Sequence, residues 1–172
     1  MPEWRRTINA MGEIPVLEID GVRHSQIAPI LLRFAEQFGR FRGETEAERH
    51  EVLRWLFWDN HKLSGYMAAY RYYRAFTLSP DAGMLAFFRR RLADFLGILD
   101  GHVAKQRFVA GDDPTIVDIS MIAYLSYPKE EVGHELAVSH PAIAAWLGRV
   151  AAIPDWRAPY DLLPGKRLQR YA

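Results

Sequence analysis

Gly111-Asp112-Asp113-Pro114-Thr115-Ile116-Val117-Asp118-Ile119-Ser120, continuing as Met121-Ile122-Ala123-Tyr124-Leu125, is the stretch from which the fold is read. Thr115 and Asp118 stand three residues apart ahead of an apolar run. This is a variant of the capping box, in which a hydroxyl and a carboxylate satisfy the first free N–H groups of a helix. A carboxylate in the first turn also suits the helix dipole. Ile116, Val117, Ile119, Met121, Ile122, Ala123 and Leu125 leave almost no polar face, which places the helix inside a bundle. Water reaches the start of such a helix poorly, so the cap must come from the chain itself. The expectation is a central buried helix of an α-helical domain, with Thr115 and Asp118 as its structural cap.

Toward the C-terminus, Pro128 stops this helix at about Tyr127, and residues 129–139 read as loop. His140-Pro141 opens a further helix through Ala152, with Pro at its first position, and Pro154 ends it. The tail from Asp155 has no clear period. Toward the N-terminus, Ser79 as N-cap with Pro80 at the first helical position starts a helix to about Val103. Thr45 and Glu48 form a capping box for a long helix from Glu46 to about Phe76. Gly43 begins this unit. Before it, Ile14-Pro15-Val16-Leu17-Glu18-Ile19 is β-like, and Asp20-Gly21 is a hairpin turn leading into Val22-Arg23-His24. Ser25 is a good N-cap for a helix from Gln26 to about Phe38, with Pro29 in its first turn and Gly39 closing it. The chain therefore divides into a mixed piece, 1–43, and an all-α domain, 44–172: α+β, mostly α. One hairpin with one helix is marginal alone, so it must dock on something or belong to a larger sheet.

A chain of 172 residues with 49% hydrophobic and 25% charged residues is an ordinary globular mix. Its net charge of +1 offers no field to attract nucleic acid or an anionic membrane. Arg71 and Arg74 beside a row of tyrosines do not change that. Without cysteine there is no disulfide, thiolate nucleophile or Cys-ligated metal, which fits the cytoplasm. No run is apolar enough for a transmembrane helix, and Met1-Pro2-Glu3-Trp4-Arg5-Arg6 lacks the apolar core of a signal peptide. Glu46 with His50, and His50 with His61, share helical spacing but lack a third ligand, so no metal is expected. There is no Gly-x-Ser-x-Gly and no Gly-rich phosphate loop. Arg89-Arg90-Arg91 reads as a solvated face.

Two separated signatures point to one family. Asn9-Ala10-Met11-Gly12-Glu13-Ile14-Pro15-Val16-Leu17-Glu18, then Asp20-Gly21 and Ser25, resembles the second half of the thioredoxin-like domain of glutathione transferases. Phe108-Val109-Ala110-Gly111-Asp112, with Pro114-Thr115 and Val117-Asp118-Ile119, resembles the capped core helix of their C-terminal domain. Trp55-Leu56-Phe57-Trp58 and His140-Pro141-Ala142-Ile143-Ala144-Ala145-Trp146 look like further pieces of bacterial members. The order of these pieces is the family's. The family's first strand, helix and second strand, which carry its thiol-activating Ser, Tyr or Cys, have no counterpart after Met1.

The resemblance implies a transferase joining glutathione to a hydrophobic electrophile, with glutathione as co-substrate and no other cofactor; the alternative is a non-catalytic binding or assembly subunit. Ile14-Pro15 corresponds to the family's cis-proline, which would turn the Ile14 backbone groups outward to pair with glutathione, as an added strand pairs with a sheet edge. Residue physics alone equally allows a trans proline at a strand start. Ser25, at a helix N-terminus, suits the γ-glutamyl carboxylate and serves as a plain N-cap as well. His24 stands where the family usually has Glu or Gln. On the long helix, Trp58, His61, Tyr66 and Tyr70 are expected to face the electrophile, although aromatic core or dimer contact explains any one of them equally well. Tyr66, Tyr70 and Tyr73 share helical spacing. An unpaired edge on the strand Val16 to Ile19 predicts a homodimer.

Overall fold

The computed structural model describes residues 3–162 and 169–171. Along the chain run α1 (Glu3–Ile8), β1 (Val16–Ile19), β2 (Val22–Ser25), α2 (Ile27–Phe38), α3 (Glu46–Trp58), a π-helical segment (Asp59–Ser64), α4 (Gly65–Phe76), α5 (Ala82–Val103), α6 (Ile116–Leu125), α7 (Lys129–Val132), α8 (Leu136–Ser139), α9 (Pro141–Ala151) and α10 (Pro159–Leu162). The fold is α+β and mostly α: a two-stranded antiparallel sheet with one helix, leading into a helical bundle.

The apolar run that defines α6 sits at the centre. Val117, Asp118 and Met121 have no exposed surface, and α2, α3, the π segment and α9 all pack on this helix. Each fully buried side chain of Val or Met size contributes about 1.5–3 kcal/mol by leaving water. Its cap is dry. Thr115 N–H donates to Asp118 Oδ2 at 2.8 Å, and the Thr115 hydroxyl donates to the same oxygen at 3.1 Å. Asp118 Oδ1 accepts from Val109 N–H at 3.0 Å and from the Trp146 indole N–H at 2.8 Å. One carboxylate thus joins the preceding loop, the start of α6 and α9. Farther along, Asp100 of α5 accepts from Ile143 N–H in the first turn of α9 at 2.9 Å, so His140 has no capping to do with its side chain.

The long helix expected from Glu46 to Phe76 forms, headed by the expected capping box: Glu48 N–H donates to Thr45 Oγ1, and Glu48 Oε2 accepts from Thr45 N–H. Its middle widens into the π segment, which the spacing of residues did not predict. In that i→i+5 pattern, residues five apart come over one another. There Ser64 Oγ donates to Asp59 Oδ1 at 2.6 Å, and Ser120 Oγ, from α6, donates to Asp59 Oδ2 at 2.6 Å. Asp59 is 1% exposed, and burial pushes its carboxyl above the ordinary carboxylate range despite both hydroxyls.

Other details differ from expectation. Asp81, and not Ser79, caps α5, accepting from Met84 N–H at 2.7 Å; Ser79 takes a left-handed backbone (φ 57°) and turns the chain ahead of Pro80. Residues 129–139 are not plain loop but hold α7 and α8, with Gly133 (φ 72°) closing α7 against the Arg74 guanidinium. In the arginine triplet, Arg89 and Arg90 face water, whereas half-buried Arg91 lies over Phe95, 4.9 Å from its ring centre. Among the described residues, no helix is long and apolar enough to cross a membrane.

Candidate functional site

The site is built from the hairpin and the head of α2. Asp20 (φ 51°) and Gly21 (φ 76°) both take positive φ, the two-residue turn whose twist matches the flanking strands. The resulting register pairs Val16 with Ser25, Leu17 with His24, Glu18 with Arg23 and Ile19 with Val22. Extending the ladder by one residue sets Pro15 opposite Gln26. The Ile14–Pro15 bond is cis, and Ile14 is 70% exposed.

Gln26 is the residue missed from sequence. Ser25 does not cap α2: it is the last residue of β2, and the capping position belongs to Gln26, which makes no side-chain cap bond. Gln26 has φ 72° and ψ 132°, a conformation that L-residues rarely adopt and that clusters at ligand-binding positions. The strain is held by its surroundings. Gln26 Nε2 donates to Glu13 Oε2 at 2.7 Å and contacts Met11 Sδ at 3.4 Å. Asn9 fixes that loop in turn: its Nδ2 donates to Glu13 O at 3.0 Å, its Oδ1 accepts from Met11 N–H at 3.1 Å, and its carbonyl accepts from Gly12 N–H at 2.8 Å. The result is an exposed shelf with Ile14–Pro15 on one side and the Gln26 amide, at the start of a twelve-residue helix, on the other.

His24 and Ser25 are brought beside this shelf but point to opposite faces of the hairpin. Strand alternation puts Ser25 with Val16, Glu18 and Arg23, a grouping confirmed by the Arg23–Glu18 ion pair at 3.1 Å. His24 goes with Leu17 on the other face, where its Nε2 is buried without a hydrogen-bond partner among the described residues.

The four aromatic and imidazole groups on the long helix do not converge on one cavity. Trp58 stands edge-on to Trp55 (5.1 Å) and Phe95 (6.1 Å). Tyr66 packs on Phe87, Phe88 and Phe95 of α5. Tyr70 is 7% exposed and belongs to the core, so it does not share the outer face on which Tyr66 and Tyr73 both meet Phe88. His61 alone is exposed, on the π segment. The reason is packing: α4 and α5 lie side by side, and their aromatics fill the seam between them.

Comparison with known proteins agrees with this architecture. The family model of the glutathione S-transferase C-terminal domain matches residues 68–154. Disulfide-bond oxidoreductase YghU of Escherichia coli K12 is 31% identical over 121 residues, covering 66% of this chain and 41% of that protein. A crystal structure of a glutathione S-transferase from Xanthobacter autotrophicus Py2 superposes with a TM-score of 0.76 at 30% identity, covering 90% of this chain and 76% of that one. The fold is shared by Ure2p5 of Phanerochaete chrysosporium, cocrystallized with 1-(S-glutathionyl)-2,4-dinitrobenzene: TM-score 0.78, 17% identity, 87% of this chain and 74% of that one. The chain spans less than two thirds of the length of the curated relatives it matches. The helical domain with its capped core helix, and the relatives that share it, show that the chain belongs to the glutathione S-transferase family.

Proposed function

We propose that this chain binds glutathione on the Pro15–Gln26 shelf and takes part in conjugating it to an electrophilic small molecule. The observation that carries the reading is the pairing of an exposed Ile14–Pro15 edge with a strained Gln26 at the head of α2, directly across the hairpin. The cysteinyl backbone of glutathione pairs with the Ile14 backbone as an added strand. Its γ-glutamyl carboxylate meets Gln26, Ser25 and the free N–H groups that begin α2. His24, on the opposite face, bears on this end of the ligand only through the backbone it shares with Ser25. The division of labour follows the chain: residues 1–43 hold glutathione, residues 44–172 form the body.

In the reaction, the glutathione thiol gives up its proton, the thiolate sulfur forms a bond to the electrophilic carbon, and the leaving group departs with its electron pair. A free thiol of pKa about 8.5 is only a few per cent ionised at neutral pH. The groups described at the shelf, Asn9, Glu13, Ser25 and Gln26, position the ligand; the resemblance assigns thiol activation to the family's first strand–helix–strand and not to this shelf. The electrophile lies along the long helix, where His61 is the exposed member of the expected set. No metal or further cofactor enters the reaction, and neither nucleic acid nor membrane is a partner.

The protein is read as a cytoplasmic homodimer. Supporting the dimer, Leu53 and Phe57 of α3 are 42% and 75% exposed beside a cleft of about 310 Å³ that they share with Gln26, Pro29 and Leu32. Light scattering is expected to give twice the chain mass; a monodisperse monomer contradicts the dimer. For the activity, glutathione and an aryl halide are mixed with the purified protein and thioether formation is followed. A rate above the uncatalysed one supports conjugation. A rate equal to it, with no heat of glutathione binding by calorimetry, overturns the reading.

A further inference from the structure

Among the described residues, Met67 and Met121 are closed inside the core, at 1% and 0% exposure, whereas Met84 and Met11 are 40% and 63% exposed. Met84 sits in the first turn of α5. Met11 differs in what its sulfur touches. Gln26 Nε2 donates to Met11 Sδ at 3.4 Å and to Glu13 Oε2 at 2.7 Å. These two acceptors take both hydrogens of the amide nitrogen. The loop keeps the sulfur in place: Met11 N–H donates to Asn9 Oδ1 at 3.1 Å, and Gly12 N–H donates to the Asn9 carbonyl at 2.8 Å.

The two bonds are unequal. A carboxylate is a strong acceptor, and a thioether is a weak one. A ligand carboxylate therefore displaces the sulfur and takes its hydrogen, while the Glu13 bond stays. Oxidation removes this inequality. The Met11 sulfur lone pair attacks the terminal oxygen of a hydroperoxide, the O–O bond breaks, and the proton moves to the departing oxygen, which leaves as an alcohol or water. The sulfur loses two electrons and the peroxide gains them. The sulfoxide oxygen is polar and a far stronger acceptor than the thioether it replaces. It stands on an unbranched, flexible side chain, within reach of the same Gln26 hydrogen.

We propose that Met11 is a redox modification site that governs the shelf: its oxidation by a hydroperoxide locks the Gln26 amide and weakens glutathione binding. This rests on the reading of the shelf as the glutathione site and adds its regulation. With both amide hydrogens held by oxygen, Gln26 turns only its carbonyl oxygen to the γ-glutamyl carboxylate, and two acceptors repel each other. A thiol-dependent methionine sulfoxide reductase reverses the step: two thiols become a disulfide, the oxygen leaves as water, and the thioether returns.

The test treats the whole protein with hydrogen peroxide and maps oxidation by peptide mass spectrometry. Glutathione binding by calorimetry and the Gln26 side-chain amide signals by NMR are measured before and after. Met11 is expected to gain one oxygen, the Gln26 amide signals to move and exchange more slowly with water, and the glutathione Kd to rise about tenfold through one lost charge-assisted hydrogen bond. Methionine sulfoxide reductase restores all three. In Met11→Leu, which has no sulfur to oxidise there, the same treatment changes the Kd by less than about twofold, whatever happens at Met84. Met11→Gln, which brings an amide oxygen to the same place, weakens binding without peroxide. Met11 left intact while Met84 is fully oxidised, or equal weakening in Met11→Leu, overturns the proposal. Stationary Gln26 amide signals in a chain that binds glutathione overturn the regulation alone; no glutathione binding by the untreated chain overturns the reading of the shelf and the regulation with it.

Discussion

Asp118 and Glu13 do similar hydrogen-bonding work in opposite surroundings. Asp118 gathers donors from Thr115, Val109 and Trp146 at zero exposure, where any donor left without it has no water to turn to. Glu13 takes the Gln26 amide at 2.7 Å on an exposed shelf, where water replaces either partner cheaply. The dry carboxylate secures the helical body. The wet one holds the Gln26 amide at the surface beside a strained backbone, where the proposed ligand would meet it. On the proposed function, hydrogen bonds of similar length serve stability in one region and recognition in the other.

The sharpest way to break this contrast is Asp118→Ala. It strands the Val109, Thr115 and Trp146 donors in the core, and a loss of about 4 kcal/mol is expected. That is a large part of the 5–15 kcal/mol typical of a domain, so urea unfolding should show a collapsed midpoint or no folded baseline. Trp146→Phe removes one donor and keeps the ring, and about 1–2 kcal/mol should be lost.

The second buried carboxylate gives a pH test. Asp59 has its folded pKa raised by burial, so folding takes up a proton there. Its contribution to stability is fully present below the unfolded value of about 3.9 and is lost as pH rises through the raised folded value. Each unit of separation is worth about 1.4 kcal/mol. In Asp59→Asn, urea midpoints measured between about pH 4 and pH 7 should fall less with rising pH than in the parent. An identical slope in both contradicts a raised Asp59.

Smaller effects sharpen the wet side. Thr45→Ala removes the exposed counterpart of the Thr115 cap and should cost about 0.5–1 kcal/mol by the same unfolding assay. Gln26→Gly loses the Glu13 contact but relieves the positive φ, so stability should hold or rise by up to about 1 kcal/mol while glutathione affinity falls.

What could be read from the sequence follows the range of the physics involved. The Thr115–Asp118 cap, the Thr45–Glu48 cap and the Asp20-Gly21 turn are set by residues within a few positions, and all three formed. The same local logic failed where two cappers competed. Ser79 and Asp81 flank Pro80, and the chain chose the carboxylate once Ser79 had turned left-handed. Tyr66, Tyr70 and Tyr73 share a helical period, but only tertiary packing decides that Tyr70 enters the core while its neighbours meet α5. The π segment left one usable sign: Asp59 and Ser64, both polar and five apart, on a helix face otherwise built of Trp55, Leu63 and Met67. Gln26 left less. Its role rests on a backbone angle imposed by the hairpin register and the Asn9–Glu13 loop, and an ordinary glutamine after a serine does not announce it.

The claim that recognition sits on the wet shelf and stability in the dry core is tested most directly by calorimetric titration of glutathione into the parent chain and into Gln26→Ala, with unfolding measured on both. The expected result is saturable binding by the parent, at least about tenfold weaker binding by the variant, and unfolding free energies within about 0.5 kcal/mol of each other. Equal affinities for the two proteins, or no binding by the parent at millimolar glutathione, would contradict it.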